Sequence, residues 1–290
     1  MSLMISPRVV KLTTRTEVDI KRSFPQQALR RIGAWVFLDH FGPTPQVDGM
    51  VVAQHPHTGL QTVTWPFAGH VEHRDSVGSI RVLNPGELNL MTAGKGISHS
   101  EISLPTSDSL HAAQLWLALP ESARGIDPFF EHHGNLPTFV AGLSSATVFI
   151  GSLGGVTSPA QVFTPLVGAE LRVAGDWGLP LDPDFEHGIL AVSGDLYVHG
   201  ERLAVDDLIY LEPGEAATIS GNGVALLLGG EPFEEHIVMW WNFIARSHAE
   251  IVQMREAWNA QGSDWEPFED RIGGWIPAPE LPNVELRPRP

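Results

Sequence analysis

Residues 55–101 read HPHTGLQTVTWPFAGHVEHRDSVGSIRVLNPGELNLMTAGKGISHSE. Apolar and polar residues alternate over short runs here, which predicts strands at Leu60 to Trp65, His70 to Asp75, Ser79 to Leu83 and Leu88 to Thr92, separated by glycine and proline turns. The two ends carry the same device. His55-Pro-His57 and His99-Ser-Glu101 each place two ligating side chains at i and i+2, and on an extended strand those side chains share one face. A lone histidine in such a segment is usually an ordinary strand residue. Two such pairs on neighbouring strands instead offer three imidazole nitrogens and a carboxylate to one ion, a ligand set suited to Fe(II), Zn, Mn, Ni or Cu.

Outward from this stretch the same texture continues. The chain has 290 residues, 43% of them hydrophobic, which is enough for one large core or two smaller ones. Its 29 glycines and 23 prolines are spread throughout and punctuate further candidate strands. These lie at Ala113 to Leu119, Thr147 to Gly151, Glu170 to Ala174, His187 to Val192, Leu196 to His199, Leu208 to Leu211 and Ala225 to Leu228. So many short strands predict an all-β protein built as a sandwich or barrel. One helix is expected near the end, opened by Ser247 and Glu250 as a capping pair, with Ile251, Met254 and Trp258 on its apolar face. The proline-rich segment from Pro277 to Pro290 is expected to run as an extended strap. A weak repeat also emerges: Gly69 followed by Pro85-Gly86-Glu87 has a counterpart in Gly194 followed by Pro213-Gly214-Glu215, as expected for two copies of one β unit.

Charge and composition exclude several functions. Eighteen basic against 34 acidic side chains give a net charge of −16, which repels a phosphate backbone, and the longest basic run is Arg30-Arg31. Direct nucleic-acid binding is not expected. Without cysteine there is no disulfide, thiolate nucleophile or Cys-ligated metal, so any metal must rest on His and carboxylate. No apolar run is long enough to cross a bilayer and the N-terminal segment lacks the pattern of a secretory leader, so a cytoplasmic protein without membrane contact is expected.

The 55–101 stretch, with its HPH start, VEHRDS strand, PGE turn and MTAG-x-G-x-HSE end, resembles the signature region of the pirin family. Gln114-Leu-Trp116, Gly230-Glu-Pro232 and a Trp241-Asn242-Phe243 strand extend the likeness. The resemblance implies a bicupin, two β-barrel or jelly-roll cupin domains with a short C-terminal helix. Residues 1–135 would form a metal-binding barrel and residues 136–290 a metal-free one carrying the helix and tail. Carried over, the family's ligands fall on His55, His57, His99 and Glu101, and one divalent ion, usually iron, is implied. One departure stands out: four residues after His57, where pirins carry glutamate, this chain has Gln61. Counting with the repeat's offsets puts Pro180, Asp182, Leu227 and Gly229 at the corresponding places of the second barrel, which form no site.

Remaining candidates are ordinary by comparison. Gln61, Gln114 and Trp116 are candidate pocket-lining residues. Arg74 and Asp75 are expected to form an ion pair, and His73 a hydrogen-bond partner behind the ligands. The resemblance implies a quercetin 2,3-dioxygenase-like oxidoreductase that opens a flavonol ring with O₂, with Glu101 as both ligand and base and a small aromatic substrate. The alternative it leaves open is a non-catalytic, redox-sensing metalloprotein that binds a protein partner.

Overall fold

The computed structural model describes residues 3–11, 19–45, 50–105, 109–261, 268, 270 and 272–289. Its architecture is two antiparallel cupin barrels and one helix, as expected. In the first barrel one sheet runs Val51–His57, Ile97–Leu104, His70–Asp75, Ile80–Leu83. It faces a larger sheet whose order is Phe129–His133, Leu88–Thr92, Leu60–Ala68, Ser109–Ala118, Trp35–Pro45, Asp19–Phe24, Arg8–Lys11. The second barrel is organised around two 13-residue strands, Glu186–Val198 and Thr218–Gly230, paired along their length. Each long strand bends and serves both sides of the barrel. Gly194 (φ 87°) marks the bend that in the first barrel is the turn at Gly69 (φ 83°). The predicted strands at His187 to Val192 and Leu196 to His199 are therefore halves of one strand.

Strand pairing corrects the repeat. Pro85-Gly86-Glu87 precedes Leu88–Thr92, whereas Pro213-Gly214-Glu215 follows Leu208–Leu211, the strand that pairs with Glu186–Val198 as Leu88–Thr92 pairs with Leu60–Ala68. The two Pro-Gly-Glu turns are alike in sequence only. His99 pairs with His55 on one side and Asp75 on the other; in the second barrel Ile219 pairs with Trp177 and Val198 in the same way. The positions matching His55, His57, His99 and Glu101 are thus Trp177, Leu179, Ile219 and Gly221, not Pro180, Asp182, Leu227 and Gly229. None of these four can ligate a metal. Trp177, Leu179 and Ile219 belong instead to that barrel's apolar core.

The large sheets pack face to face. Alternate residues of Leu60–Ala68 and Ser109–Ala118, among them Val63, Trp65, Leu115 and Leu117, join Phe149, Leu190, Leu226 and Leu228 of the second barrel in one buried cluster. Trp65 stacks on Phe149 (4.7 Å between centroids, 26°) and its indole N–H donates to Glu170 at 3.0 Å. Burying both faces of the sheet this way is the main source of cohesion between the barrels.

Both chain ends cross over. Leu3–Ile5 pairs with Leu208–Leu211 in the second barrel. At the other end a hairpin, Val238–Trp240 with Phe243–Ala245, leads into the helix His248–Asn259. Trp241 and Asn242 form the turn of that hairpin rather than a strand, with Trp241 at φ 53°. Ser247 caps the helix and accepts from the Glu250 N–H; the Glu250 carboxylate accepts from the Arg246 N–H and from Arg124. The capping box is therefore half closed. Ile251 and Trp258 pack on Phe243, Ala245 and Ala278, and the strap is pinned by hydrogen bonds such as Leu286 N–H to His248 Nδ1. Ile276 N–H donates to Gln54 O at 2.7 Å, so the strap lies along the strand that carries the HPH motif. Among the described residues no helix is long and apolar enough to cross a membrane.

Candidate metal centre

Ile97–Leu104 is the central strand of its sheet, with Val51–His57 on one side and His70–Asp75 on the other. His99 lies opposite His55, and a register shift between His99 and Glu101 bends the strand where its ligating side chains are needed. Period-2 alternation sends His55, His57, His99 and Glu101 into the barrel. All four are buried. The donor atoms of His55, His57 and His99 lie within 4.8 Å of one another, and His57 Nε2 and His99 Nε2 are 3.1 Å apart. Glu101 falls in a second, overlapping group with His99 and His73, also within 4.8 Å. Both clusters of three or more potential ligands found among the described residues lie in this barrel.

The protons are arranged to leave lone pairs facing the centre. His55 Nδ1 donates to the Ala53 carbonyl at 2.9 Å, which leaves Nε2 as an acceptor. Asp75 Oδ2 accepts from His73 Nε2 at 3.0 Å, so His73 Nδ1 is the acceptor for His99 Nδ1–H at 3.4 Å, and His99 Nε2 is free of a proton. Burial holds the imidazoles neutral: it lowers His55 to about 4, and lowers His57 and His99 well below the usual histidine range, with neighbouring histidines adding to the effect. Burial raises Glu101, against the opposing influence of His73 and of the Thr64 hydroxyl, which donates to Oε1 at 3.1 Å. Three neutral imidazoles and a carboxylate with no basic side chain paired to it fit a divalent cation.

The Arg74–Asp75 ion pair does not form. Arg74 bonds Glu72 at 2.8 Å, because adjacent residues point to opposite faces while Glu72 and Arg74 share one. Asp75 faces inward to His73, and its other oxygen accepts from the Val77 and Ser79 N–H groups, closing the turn. His73 takes the supporting place expected of it and stacks on Phe130 (4.5 Å, 17°).

Because the Asp75–His73–His99 chain fixes a tautomer, Asp75→Asn is expected to weaken metal binding about 10- to 100-fold while the turn survives. The Asn amide donates where Asp accepted, which reverses both hydrogen bonds and leaves the proton on His99 Nε2. Isothermal titration with the metal measures this; unchanged affinity contradicts it.

A cavity of about 460 Å³ opens on His55, His57 and Glu101. Gln114 and Trp116 are among the residues that line it. Trp116 stacks on Phe37 (4.1 Å, 12°) and meets His57 edge-on at 5.1 Å. Thr64 Oγ1 lies 3.1 Å from both Glu101 Oε1 and Gln114 Oε1 but has one hydrogen, so the arrangement that satisfies all three has the Gln114 amide turned over, donating to Thr64, which donates to Glu101.

Gln61 is a correction. It does not line the cavity; Thr64, on the inward face of Leu60–Ala68, reaches Glu101, whereas Gln61, Val63 and Trp65 face the second barrel. The Gln61 amide donates to Thr92 Oγ1 at 2.9 Å and to the Gln161 carbonyl at 3.2 Å. A residue four past His57 has the opposite parity from one that would be needed at the cavity face of this strand.

Several cavity residues were not anticipated. Arg22 clamps Asp39 with two bonds of 2.7 Å and lies 4.3 Å over the Phe37 ring. Met239, Trp241, Asn242 and Ile276 supply a wall from the far end of the chain. No periodicity in residues 55–101 points to them; the signal the sequence does carry is the aromatic pair Trp240-Trp241 in a segment otherwise poor in strand pattern.

A family model described as Pirin matches residues 17–117, and one described as Pirin C-terminal cupin domain matches residues 166–263. A Pseudomonas aeruginosa protein provisionally named quercetin 2,3-dioxygenase is 42% identical over 272 residues, 91% of this chain and 86% of that one. A pirin-like protein of Caulobacter vibrioides is 36% identical over 276 residues, covering 90% and 94% of the two chains. The crystal structure of a quercetin 2,3-dioxygenase from Acinetobacter baumannii matches with a TM-score of 0.93 at 40% identity, over 99% of this chain and 97% of that one.

Proposed function

The chain belongs to the pirin family, and on that premise we propose that it is a metal-dependent dioxygenase that opens a flavonol such as quercetin across its 2,3 bond with O₂, releasing carbon monoxide. On this reading residues 1–135 form the metal-binding barrel and residues 136–290 the metal-free one. His55, His57, His99 and Glu101 hold one divalent ion, Fe(II) by family likeness, with the donor set equally open to Zn, Mn, Ni or Cu. Such an ion supplies O₂ binding and acidifies a hydroxyl that chelates it. The observation that carries the reading is the cavity of about 460 Å³ whose aromatic wall, Trp116 on Phe37, meets His57 and which opens also on His55 and Glu101.

The chain's own residues have defined tasks. Trp116 and Trp241, which both line the cavity, offer apolar ring surface to a planar substrate and exclude water. Glu101 takes the proton of the flavonol 3-hydroxyl at a carboxylate oxygen. The hydroxyl of Thr64 fixes Oε1, so the other oxygen faces the cavity. A cytoplasmic location with a small aromatic substrate and no nucleic-acid partner completes the proposal. The test is oxygen uptake and carbon monoxide release across a flavonol panel after anaerobic loading with Fe(II). Turnover dependent on both metal and Glu101 supports it; one bound metal per chain with no turnover on any flavonol transfers the reading to a redox-sensing protein with a protein partner.

The protons also make stability a readout of the metal. As pH falls below 6.5 the unfolded chain protonates His55 while the native state resists until about 4. That linkage removes about 3 kcal/mol from the metal-free protein over this window. His57 and His99 act in the same direction; Glu101, raised, acts in the opposite one. Melting curves of the metal-stripped protein are therefore expected to show a midpoint that falls from pH 7.5 to 5.5; the metal-loaded protein shares the same unfolded-state protonation, so the gap between the two, set by metal affinity for the native state, does not widen and narrows once protons compete for the ligands. A stripped protein whose midpoint is flat over that range contradicts the assignment.

A further inference from the structure

A second cavity, of about 430 Å³, shares Pro25 and Met239 with the metal cavity. Its floor is apolar, including Val36, Ile237 and Leu286. Its rim is not. Arg30 and Arg31, the longest basic run in the chain, come from the loop before Trp35–Pro45, and Arg287 and Arg289 come from the strap more than 250 residues later. Four of the 18 basic residues of a chain with net charge −16 thus meet at one cavity, against a single carboxylate, Glu285.

Arg31 is committed to the fold. It donates to the carbonyls of Glu235 and Phe233 and lies over the Phe233 ring. Arg30, Arg287 and Arg289 are exposed and make no ion pair among the described residues. Their hydrogen-bond capacity is open to a ligand, and guanidinium groups match carboxylate, sulfate and phosphate oxygens in pairs. An apolar floor under a cationic rim suits an anion carried on an organic body rather than a bare hydrated ion.

We propose that this cavity binds the anionic substituent, carboxylate, sulfate or phosphate, of an aromatic substrate whose ring occupies the metal cavity, the two cavities adjoining at Pro25 and Met239, which line both. The inference rests on the flavonol reading for the ring and adds the charge of the molecule the site selects. The substrate class becomes an acidic conjugate of a polyphenol rather than the neutral parent.

Binding, not turnover, tests it. Metal-loaded full-length protein is titrated anaerobically with quercetin, quercetin 7-sulfate and quercetin 3′-sulfate, following tryptophan fluorescence, and with inorganic sulfate as a separate arm. At low salt one of the sulfates is expected to bind about tenfold more tightly than quercetin, about 1.4 kcal/mol, with the advantage shrinking as salt rises. The double variant Arg287→Gln/Arg289→Gln, which keeps the backbone bridge of Arg289 to Ile237, is expected to lose that advantage and leave quercetin unaffected. Equal affinities, or an advantage kept in the double variant, overturn the inference. Arginine-dependent binding of inorganic sulfate without preference for a sulfated flavonol overturns it too, because the anion would then be a separate molecule. A preference that holds while no flavonol turns over counts against the oxygenase reading alone.

Discussion

His57→Ala is expected to abolish stoichiometric metal binding, cutting affinity by more than about 100-fold, and to bring oxygen uptake to background. The imidazole is fully inside the barrel, its Nε2 3.1 Å from His99 Nε2, and the neighbouring His73 is held behind His99 by its hydrogen bond with Asp75 at 3.0 Å. Trp116, edge-on at 5.1 Å, and Ile97, across the strand pair, are apolar. Three ligands remain, but two of them, His99 and Glu101, sit on one strand, so the substitution removes a direction of approach as well as a bond. The fold should survive, because the buried group lost is a neutral imidazole, so no unpaired charge is left behind. Elemental analysis after dialysis, with thermal melts in the presence and absence of metal, separates the two effects. In wild type, metal at 100 times its dissociation constant adds about 2.7 kcal/mol; in the variant this increment disappears while the metal-free midpoint stays near wild type. One metal per chain retained by the variant excludes His57 as a ligand.

Gln61→Glu is expected to destabilise the protein by about 2–4 kcal/mol and to leave turnover no higher. From sequence alone the substitution restores a carboxylate that pirins carry, which argues for faster proton removal. Placement reverses that expectation. The side chain is 1% exposed in the seam between the barrels, where its amide donates to Thr92 Oγ1 and to the Gln161 carbonyl. A carboxylate would set an oxygen against that carbonyl and bury a charge with no basic partner recorded beside it; protonated, it could donate to one of the two acceptors but not both. Burial raises its native pKa above the unfolded value, so the deficit grows as pH rises through that interval and is smaller at pH 5 than at pH 8. Chemical denaturation at both pH values, with Gln61→Met as an uncharged control, measures it. A stable variant with raised turnover would place this side chain at the reacting centre after all.

The contrast between these two positions shows what was legible. His55, His57, His99 and Glu101 declare themselves because i, i+2 spacing on a strand is a statement about direction, and direction is what ligation needs. Gln61 was read by distance in sequence from His57, but Thr58 and Gly59 lie between two strands, and the parity of one does not carry into the next. The repeat failed for a related reason: Pro-Gly-Glu is good turn chemistry anywhere, so it marked two non-equivalent turns, while the less conspicuous pair Gly69 and Gly194 marked equivalent bends. In the second barrel the corresponding positions are Trp177, Leu179, Ile219 and Gly221, three of which fill the space with apolar volume. The roof of the cavity was illegible because Met239, Trp241 and Ile276 reach it by tertiary packing across more than 130 residues, which no local pattern encodes.

That roof has a bearing on how the protein is made. All four proposed ligands lie within the first 101 residues, and the wall begins only at Met239. At about 5–20 residues per second, translation needs about 7–28 seconds to cover the interval. For that time the four side chains exist before the residues that cover them, so on the proposed reading an ion can reach them before the cavity is enclosed. On the proposed reading, access of an ion to the four ligands and enclosure of the cavity are therefore separate events in synthesis, the first set by the barrel strands and the second by the segment that carries Met239, Trp241 and Ile276.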